Sequence, residues 1–252
     1  MMAVNIRWLG HATVAIADGP TTVLTDPVLT GRVGHLRRRR GEDPLARPVR
    51  PDVVVLSHLH ADHTHLPSLA LLGADVPIVV PRGAADVFAG LRRFGDRIVE
   101  LAPGEATAVG SVSIRAVPAD HDGRRWRRGP RTVPALGYVV EGEATTYFAG
   151  DTAFDPAMAE WVPRCDAALL PVGGWGPTLG PGHMDPASAA LAARSTAAGL
   201  SIPVHFGTLW PIGLDAVRPQ LFAAPGGDFV GRVRAAGGTA IELAPGEQLR
   251  VR

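Results

Sequence analysis

Six consecutive residues, His58-Leu59-His60-Ala61-Asp62-His63, carry three imidazoles and a carboxylate. Imidazole and carboxylate are borderline-to-hard donors that suit zinc, with manganese and iron as competitors. The run before them, Val53-Val54-Val55-Leu56-Ser57, is short, apolar and β-branched, and reads as a buried strand. His58 and His60 are two apart, so an extended path points both the same way. Asp62 and His63 follow where that strand breaks, and are expected to project from the first turn of a short helix running to about Leu72. Donors leaving a strand end in two directions can supply two adjacent cation sites. A single structural zinc is the plainer alternative. Such sites usually draw on cysteine, however, and the only one in the chain, Cys165, is far from the cluster.

The same residue types recur wherever a strand is expected to end. His121 follows an apolar run at 112–118, Asp151 follows 145–148, and His205 follows 202–204. Taken singly each is more simply an ordinary polar residue, but strand ends at one rim of a sheet sandwich can converge on one pocket. Around them lie possible substrate contacts. Arg124, Arg125, Arg127, Arg128 and Arg131 crowd the segment after His121, with Trp126 among them, and Arg37 to Arg40 form a second basic run. Guanidinium groups grip phosphate or carboxylate bidentately, which favours a small anionic substrate if these loops line the pocket; solvated surface charge is an equal alternative. Trp175 and Trp210 each fall in an expected loop beside a site strand and are placed at the pocket border. Cys165 is assigned to the core, His11 to a structural role and His35 to the surface.

The elements that must position these residues are mostly strands. Short strands are expected over 6–8, 13–16, 22–25, 53–57, 78–80, 98–101, 109–117, 136–140, 145–148, 167–171 and 202–204. Residues 29–51, interrupted by glycine, proline and arginine, read as a long irregular loop, which in a compact domain is often functional. Helices are expected over 84–94 and 228–236, and one opens at Asp185-Pro186, where aspartate is a good N-cap and proline fits the first helical position, to close at Gly199. Leu101-Ala102-Pro103-Gly104-Glu105 returns as Leu243-Ala244-Pro245-Gly246-Glu247, which reflects either two related halves or one turn chemistry used twice. No linker or composition break interrupts residues 1–252, so the expectation is a single domain.

Composition narrows the function classes. The chain of 252 residues is 46% apolar and 19% charged, which fits a globular protein with a substantial core. With 25 basic and 24 acidic residues, no global field favours nucleic acid. One cysteine rules out an internal disulfide framework and fits a reducing compartment. The start lacks the basic flank and apolar stretch of a signal peptide, and no apolar run approaches the ~20 residues that span a bilayer. A cytoplasmic protein without membrane insertion is the expectation; the oligomeric state is left open.

The ordered set Asp26, H-x-H-x-D-H, His121, Asp151 and His205 resembles the signature of the metallo-β-lactamase-fold hydrolases, along essentially the whole chain. Trp8-Leu9-Gly10-His11-Ala12-Thr13, Thr25-Asp26-Pro27, Gly150-Asp151-Thr152, His183-Met184-Asp185-Pro186 and His205-Phe206-Gly207-Thr208 look similar to the branch of N-acyl-phosphatidylethanolamine phospholipase D and the ascorbate-6-phosphate lactonases. The resemblance implies an α/β, four-layer αβ/βα sandwich holding two zinc ions. His58, His60 and His121 would take the first ion, Asp62, His63 and His205 the second, and Asp151 would bridge them, leaving room for a shared hydroxide. Asp62 and Asp151 would also orient that hydroxide, and Asp26 would steady the ligand loop. His183 resembles a pocket histidine of the phospholipase branch and is expected to contact substrate or act as general acid. His65 stands where many relatives carry an aspartate, and a solvent-facing or supporting role is expected.

The implied activity is hydrolysis of a small phosphodiester, or alternatively of a lactone or ester. RNA cleavage and a non-catalytic metal-stabilised binding module are lesser alternatives. Redox members of the superfamily typically carry glutamate where His60 stands, which argues against oxidoreductase chemistry. The Arg-rich segment after His121, with no amphipathic membrane helix, argues against a membrane phospholipid.

Overall fold

The apolar run before the histidine cluster does not alternate because both of its faces are buried. Val53 and Val55 join the core between two sheets, whereas Val54 and Leu56 join a second core under helices. The computed structural model describes residues 3–126, 129–175, 178–214 and 220–251. In chain order the strands are β1 (Val4–Gly10), β2 (Thr13–Asp18), β3 (Thr21–Thr25), β4 (Arg32–Val33), β5 (Leu36–Arg38), β6 (Val53–Val55), β7 (Ile78–Pro81) and β8 (Ile98–Leu101). They continue as β9 (Ala106–Val109), β10 (Val112–Ala119), β11 (Ala135–Glu141), β12 (Thr145–Phe148), β13 (Ala167–Pro171), β14 (Leu200–Val204), β15 (Leu209–Pro211) and β16 (Gln248–Val251). The α-helices are α1 (Leu66–Leu69), α2 (Ala84–Val87), α3 (Met158–Trp161), α4 (Pro186–Ser195) and α5 (Gln220–Ala235).

One sheet runs β16-β1-β2-β3-β6-β7-β8 and the other β14-β13-β12-β11-β10-β9. Trp8, Val14 and Val55 of the first sheet share a core with Ile114, Leu136 and Phe148 of the second, which also takes in Ala192 of α4 and Phe229 of α5. Leu69 of α1 and Ala84 of α2, with Leu91 and Phe94, cover the other face of the first sheet. The result is the expected four-layer αβ/βα sandwich of the metallo-β-lactamase type. Among the described residues no helix is long and apolar enough to cross a membrane.

The two sheets repeat one plan. In each, an antiparallel meander (β16-β1-β2-β3 and β9-β10-β11-β12) passes into parallel strands (β6-β7-β8 and β13-β14). The repeated five-residue phrase sits at the same point of both. In one copy Ala102 N donates to Glu105 Oε2 at 2.8 Å, and Gly104 N and Ala116 N clasp β10 through Ala116 O and Glu105 O at 2.8 and 2.9 Å. In the other, Ala244 N donates to Glu247 Oε2 at 2.8 Å, and Gly246 N and Trp8 N clasp β1 through Trp8 O and Glu247 O at 2.6 and 3.1 Å. Equivalent turns therefore join equivalent strands.

Several elements differ from the sequence expectation. Residues 29–51 are not wholly irregular: β4 and β5 form a hairpin that pairs with the distant β15, and Val28, Val33, Leu36 and Leu209 bury together as a third small core. The helix expected after Asp62 shrinks to the single turn α1. The stretch 84–94 splits at extended Phe88 into α2 and 3-10 turns over Ala89–Arg97. The expected strand 109–117 is cut by a turn at Gly110 into the β9–β10 hairpin. α4 opens as expected, with Asp185 and Ser188 forming a reciprocal capping box, but stops at Ser195, ahead of Gly199. α5 begins well before Asp228 and carries Pro225 within it, a residue that reads as a helix breaker in isolation.

Asp18, 1% exposed at the end of β2, reaches across to the other sheet, where its carboxylate accepts Glu143 N at 2.7 Å and Ala144 N at 3.0 Å in the β11–β12 turn. Asp18→Ala deprives two amides of a charged acceptor and is expected to cost about 2–3 kcal/mol, with partial recovery in Asp18→Asn. The shift of the urea midpoint in the two variants measures this.

Candidate metal centre

β6 ends at Val55, three residues before His58, although Leu56 N still bonds to Val79 O at 2.8 Å. His58 and His60 therefore leave from a loop rather than from an extended strand. The chain then turns, with His63 N and Thr64 N donating to His60 O at 3.1 and 2.8 Å, so Asp62 and His63 lie on a tight turn ahead of α1 and not in its first helical turn. His121 arrives two residues past β10, Asp151 three past β12, and His205 immediately after β14.

These ends converge. His58 Nε2 and His121 Nε2 lie 2.9 and 3.2 Å from His60 Nδ1. His63 Nε2 and His205 Nε2 lie 3.1 Å apart, with Asp62 Oδ2 at 3.7 Å from the first and 3.9 Å from the second. Asp151 Oδ2 is 3.1 Å from His63 Nε2 and 3.3 Å from His205 Nε2, and His58, His63 and Asp151 themselves form a group with donor atoms within 4.8 Å. Two donor clusters thus meet at Asp151.

The far side of the imidazoles shows which atoms face inward. His63 Nδ1 lies 2.7 Å from Asp26 Oδ2, His205 Nδ1 3.0 Å from Gly173 O, and His121 Nδ1 2.7 Å from Gly182 O. Each acceptor takes a hydrogen bond from Nδ1–H, so in the neutral ring the lone pair is on Nε2. Ser57 Oγ donates to Asp26 Oδ2 at 2.6 Å, so its oxygen accepts from His58 Nδ1 at 3.0 Å and that ring is held likewise. Lone pairs facing each other at about 3 Å repel unless a cation lies among them. Asp151 Oδ1 is buried without a hydrogen-bond partner. Imidazole nitrogens and carboxylate oxygens in this arrangement fit divalent cations.

Tight backbone geometry supports the cluster. Among the described residues four non-glycine positions have positive φ, and three belong here: His11 (54°), Asp26 (31°) and His205 (59°). Gly150 and Gly182 serve the same end, since a Cβ at Gly150 would meet Ser57 Cβ at 2.6 Å and one at Gly182 would meet His121 Nδ1 at 2.8 Å.

Burial dominates the electrostatics. It holds His58 well below the usual imidazole range, with His63 and His121 adding to the effect, and it lowers His60 and His65. It also lowers His11 and His121 to about 4. Burial opposes ionisation of Asp62 and Asp151, but facing histidines outweigh it and hold both carboxyls well below their ordinary value. His63 is the converse: burial disfavours its charge, and Asp151, Asp62 and Asp26 raise it regardless. His183 Nε2 lies 3.5 Å from Asp151 Oδ2, and that contact raises its pKa against burial.

Other residues are placed differently from expectation. His11 is not remote scaffolding: it is buried, with Nε2 3.0 Å from Asp62 Oδ2 and its ring centroid 4.1 Å from that of His205. The Gly10-His11 phrase was visible in the sequence, but β1 gave no sign of ending at the rim that holds His205. Of the two roles expected for His65, burial excludes the solvent-facing one and fits the supporting one: its Nδ1 lies 2.8 Å from Ser68 Oγ, which also accepts Leu29 N. Arg125 does not reach for an anion; it donates to Leu59 O at 2.9 Å and Thr64 O at 2.7 Å and stacks on Phe88. Arg38 likewise donates to Leu9 O and Val28 O. Arg124 lies 3.4 Å from Asp122 and Arg131 reaches Asp86 O, while Arg127 and Arg128 fall outside the described residues. Trp210 belongs to β15 and is 1% exposed, whereas Trp175 is half-buried with its ring edge-on to exposed His35. Cys165 is buried, its thiol pushed up to about 12 by burial.

Residues 21–206 match a family model described as a beta-lactamase superfamily domain. A protein of Mycobacterium tuberculosis is 34% identical over 221 residues, which cover 81% of this chain but 58% of that protein, so the chain spans little more than half of such mycobacterial relatives. A UPF0173 metal-dependent hydrolase of Thermoplasma volcanium is 30% identical over 237 residues, covering 91% of this chain and 95% of the relative. Among solved structures, the metallo hydrolase Igni18 of Ignicoccus hospitalis has a TM-score of 0.74 at 22% identity, with 99% of both chains covered, a likeness of fold.

In the metal-free protein, the lowered folded pKa values of His11, His58, His60, His65 and His121 mean that the unfolded chain binds more protons below the ordinary imidazole value of about 6.5. Their contribution is complete above that value and is lost as pH falls toward about 4. His63 and His183, raised in the folded state, act with the opposite sign and are outnumbered. The melting temperature of the chelated protein is expected to fall between about pH 7 and pH 5; a rise would show that the imidazoles are not held neutral.

Proposed function

Because the chain belongs to the beta-lactamase superfamily domain family and to the UPF0173 metal-dependent hydrolases, we propose that it is a dinuclear-metal hydrolase cleaving a small phosphodiester. The carrying observation is Asp151, whose Oδ2 faces His63 and His205 while its Oδ1 is buried and unpaired between two histidine clusters. His58, His60 and His121 would hold one ion, Asp62, His63 and His205 the other, and Asp151 would serve both. Zinc suits the donors best, with manganese or iron as competitors. When bound, such a pair supplies an activated water and polarises a substrate oxygen.

The chain's own groups account for the rest. Asp26, Ser57, Gly173 and Gly182 fix the rings through their outer nitrogens. Asp62 and Asp151, both held ionised, would orient the attacking water. His183, with its raised pKa and a partly exposed side chain, carries a proton to the leaving oxygen. The phrases shared with the phospholipase and lactonase branch support a small-molecule ester or phosphodiester rather than nucleic acid, and the single cysteine supports a cytoplasmic setting.

One observation favours lactone or carboxylic ester hydrolysis as a second reading. The guanidinium groups of Arg38 and Arg125 are held by backbone carbonyls, which leaves fewer cations to receive a phosphate.

The test is metal content and turnover together. Protein purified without chelator is expected to carry about two zinc ions per chain and to cleave a chromogenic phosphodiester. Asp151→Ala is expected to lower turnover at least about 100-fold while remaining folded. Lactone opening alone selects the second reading, and no bound metal even after reconstitution overturns both.

A further inference from the structure

His11 is held as few surface-loop histidines are. Its backbone takes the left-handed conformation, φ 54°, between Gly10 and Ala12, and every main-chain polar group is engaged. His11 N donates to Thr208 Oγ1 at 3.0 Å, and His11 O accepts both His205 N at 3.0 Å and Trp8 Nε1 at 2.8 Å. These contacts tie β1 to the loop that bears His205. They aim a fully buried imidazole at Asp62, with Nε2 3.0 Å from Oδ2. That oxygen is the one facing His63 and His205.

The repeated plan of the sheets gives a second, independent reason to regard this placement as functional. β1 occupies in its sheet the position that β10 occupies in the other, each lying between a strand preceded by the repeated turn and the next strand of the meander. His11 immediately follows β1, and His121 follows β10 by two residues. The two halves therefore deliver an imidazole from equivalent strand ends, one to each donor cluster: His121 beside His58 and His60, His11 beside Asp62, His63 and His205.

We propose that His11 is a positioning residue for the second cluster. Its Nε2–H donates to Asp62 Oδ2 and fixes the carboxylate in the orientation that a cation shared with His63 and His205 requires. The inference rests on the dinuclear reading above. A carboxylate with two rotatable bonds, held by one directional donor, loses rotamers that would turn its oxygen from the histidines, so the loss of that donor falls on affinity for one ion and leaves the other nearly untouched.

Stepwise zinc titration of the metal-free full chain by calorimetry, for wild type, His11→Ala and His11→Gln, tests this. Wild type is expected to take two ions. His11→Ala should bind one at wild-type affinity and the other about 10–100-fold more weakly, as is usual when a group that orients a ligand is lost. His11→Gln, whose amide N–H reaches about as far as the imidazole Nε2, should recover most of that loss. Both variants keep a β-carbon at the same left-handed backbone, so equal melting temperatures of their metal-free forms separate this effect from strain. If His11→Ala fails to fold, His11→Leu supplies similar bulk without a donor.

Two full-affinity sites in His11→Ala would overturn the proposal. A glutamine variant as weak as the alanine one in an equally stable chain would also overturn it, and would make His11 a direct ligand. Fewer than two ions on wild type is a different failure, because it removes the dinuclear reading itself.

Discussion

One buried carboxylate, that of Asp26, holds the histidine loop to the sheet. It is fully buried, and its Oδ1 accepts Ser57 N at 2.7 Å while Oδ2 accepts Ser57 Oγ at 2.6 Å and faces His63 Nδ1 at 2.7 Å. An ionised group taken out of water is costly unless it is fully paired. Here the pairing reaches two imidazoles, His63 directly and His58 through Ser57. The strained backbone of Asp26 is pinned by Thr13 Oγ1, which donates to Asp26 O at 2.9 Å, so the end of β3 and the start of β2 also fix the loop. The arrangement of the donors therefore follows from the sheet rather than from the loop that bears them.

The residues that cluster were largely legible because their chemistry is local. Three imidazoles in six residues, and single histidines or carboxylates after short apolar strands, needed no tertiary information. The αβ/βα order was legible for a similar reason: the continuous burial of Val53 to Leu56 and the capping chemistry at Asp185 are encoded within a few positions. What escaped depends on partners far away in sequence. β4 and β5 are too short to show a pattern; they pair with each other, and β15, some 170 residues later, supplies the other edge of β5. His11 looks like a turn residue until Thr208 and His205 are brought to its backbone. α5 begins early because proline and glycine, poor helix formers alone, are carried there by packing.

Two of the arginines beside the metal motif have a structural use. A basic run beside a metal motif invites an anion, yet Arg125 holds both flanks of the ligand turn through Leu59 O and Thr64 O, and Arg38 ties β5 to the residues before His11 and after Asp26. A guanidinium with five donors can close several orphan carbonyls at once, which a turn of consecutive ligands leaves exposed. These two cations act as brackets, and the long early segment is a hairpin bolted to the rim.

The pairing of β16 with β1 closes the first sheet across a long sequence separation. Val4 to Arg7 have their antiparallel partners in residues 248–251, so one edge of β1 stays open until those residues are made. His205 is likewise delivered late, after β14. A nascent chain can assemble β2, β3 and the histidine loop early, but the donor set waits for His205 and the closed sheet for residues 248–251. Contacts of such long sequence separation slow folding and leave an unpaired edge exposed in the interim. Until His121, Asp151 and His205 follow, the donors around His58, His60 and His63 stand alone.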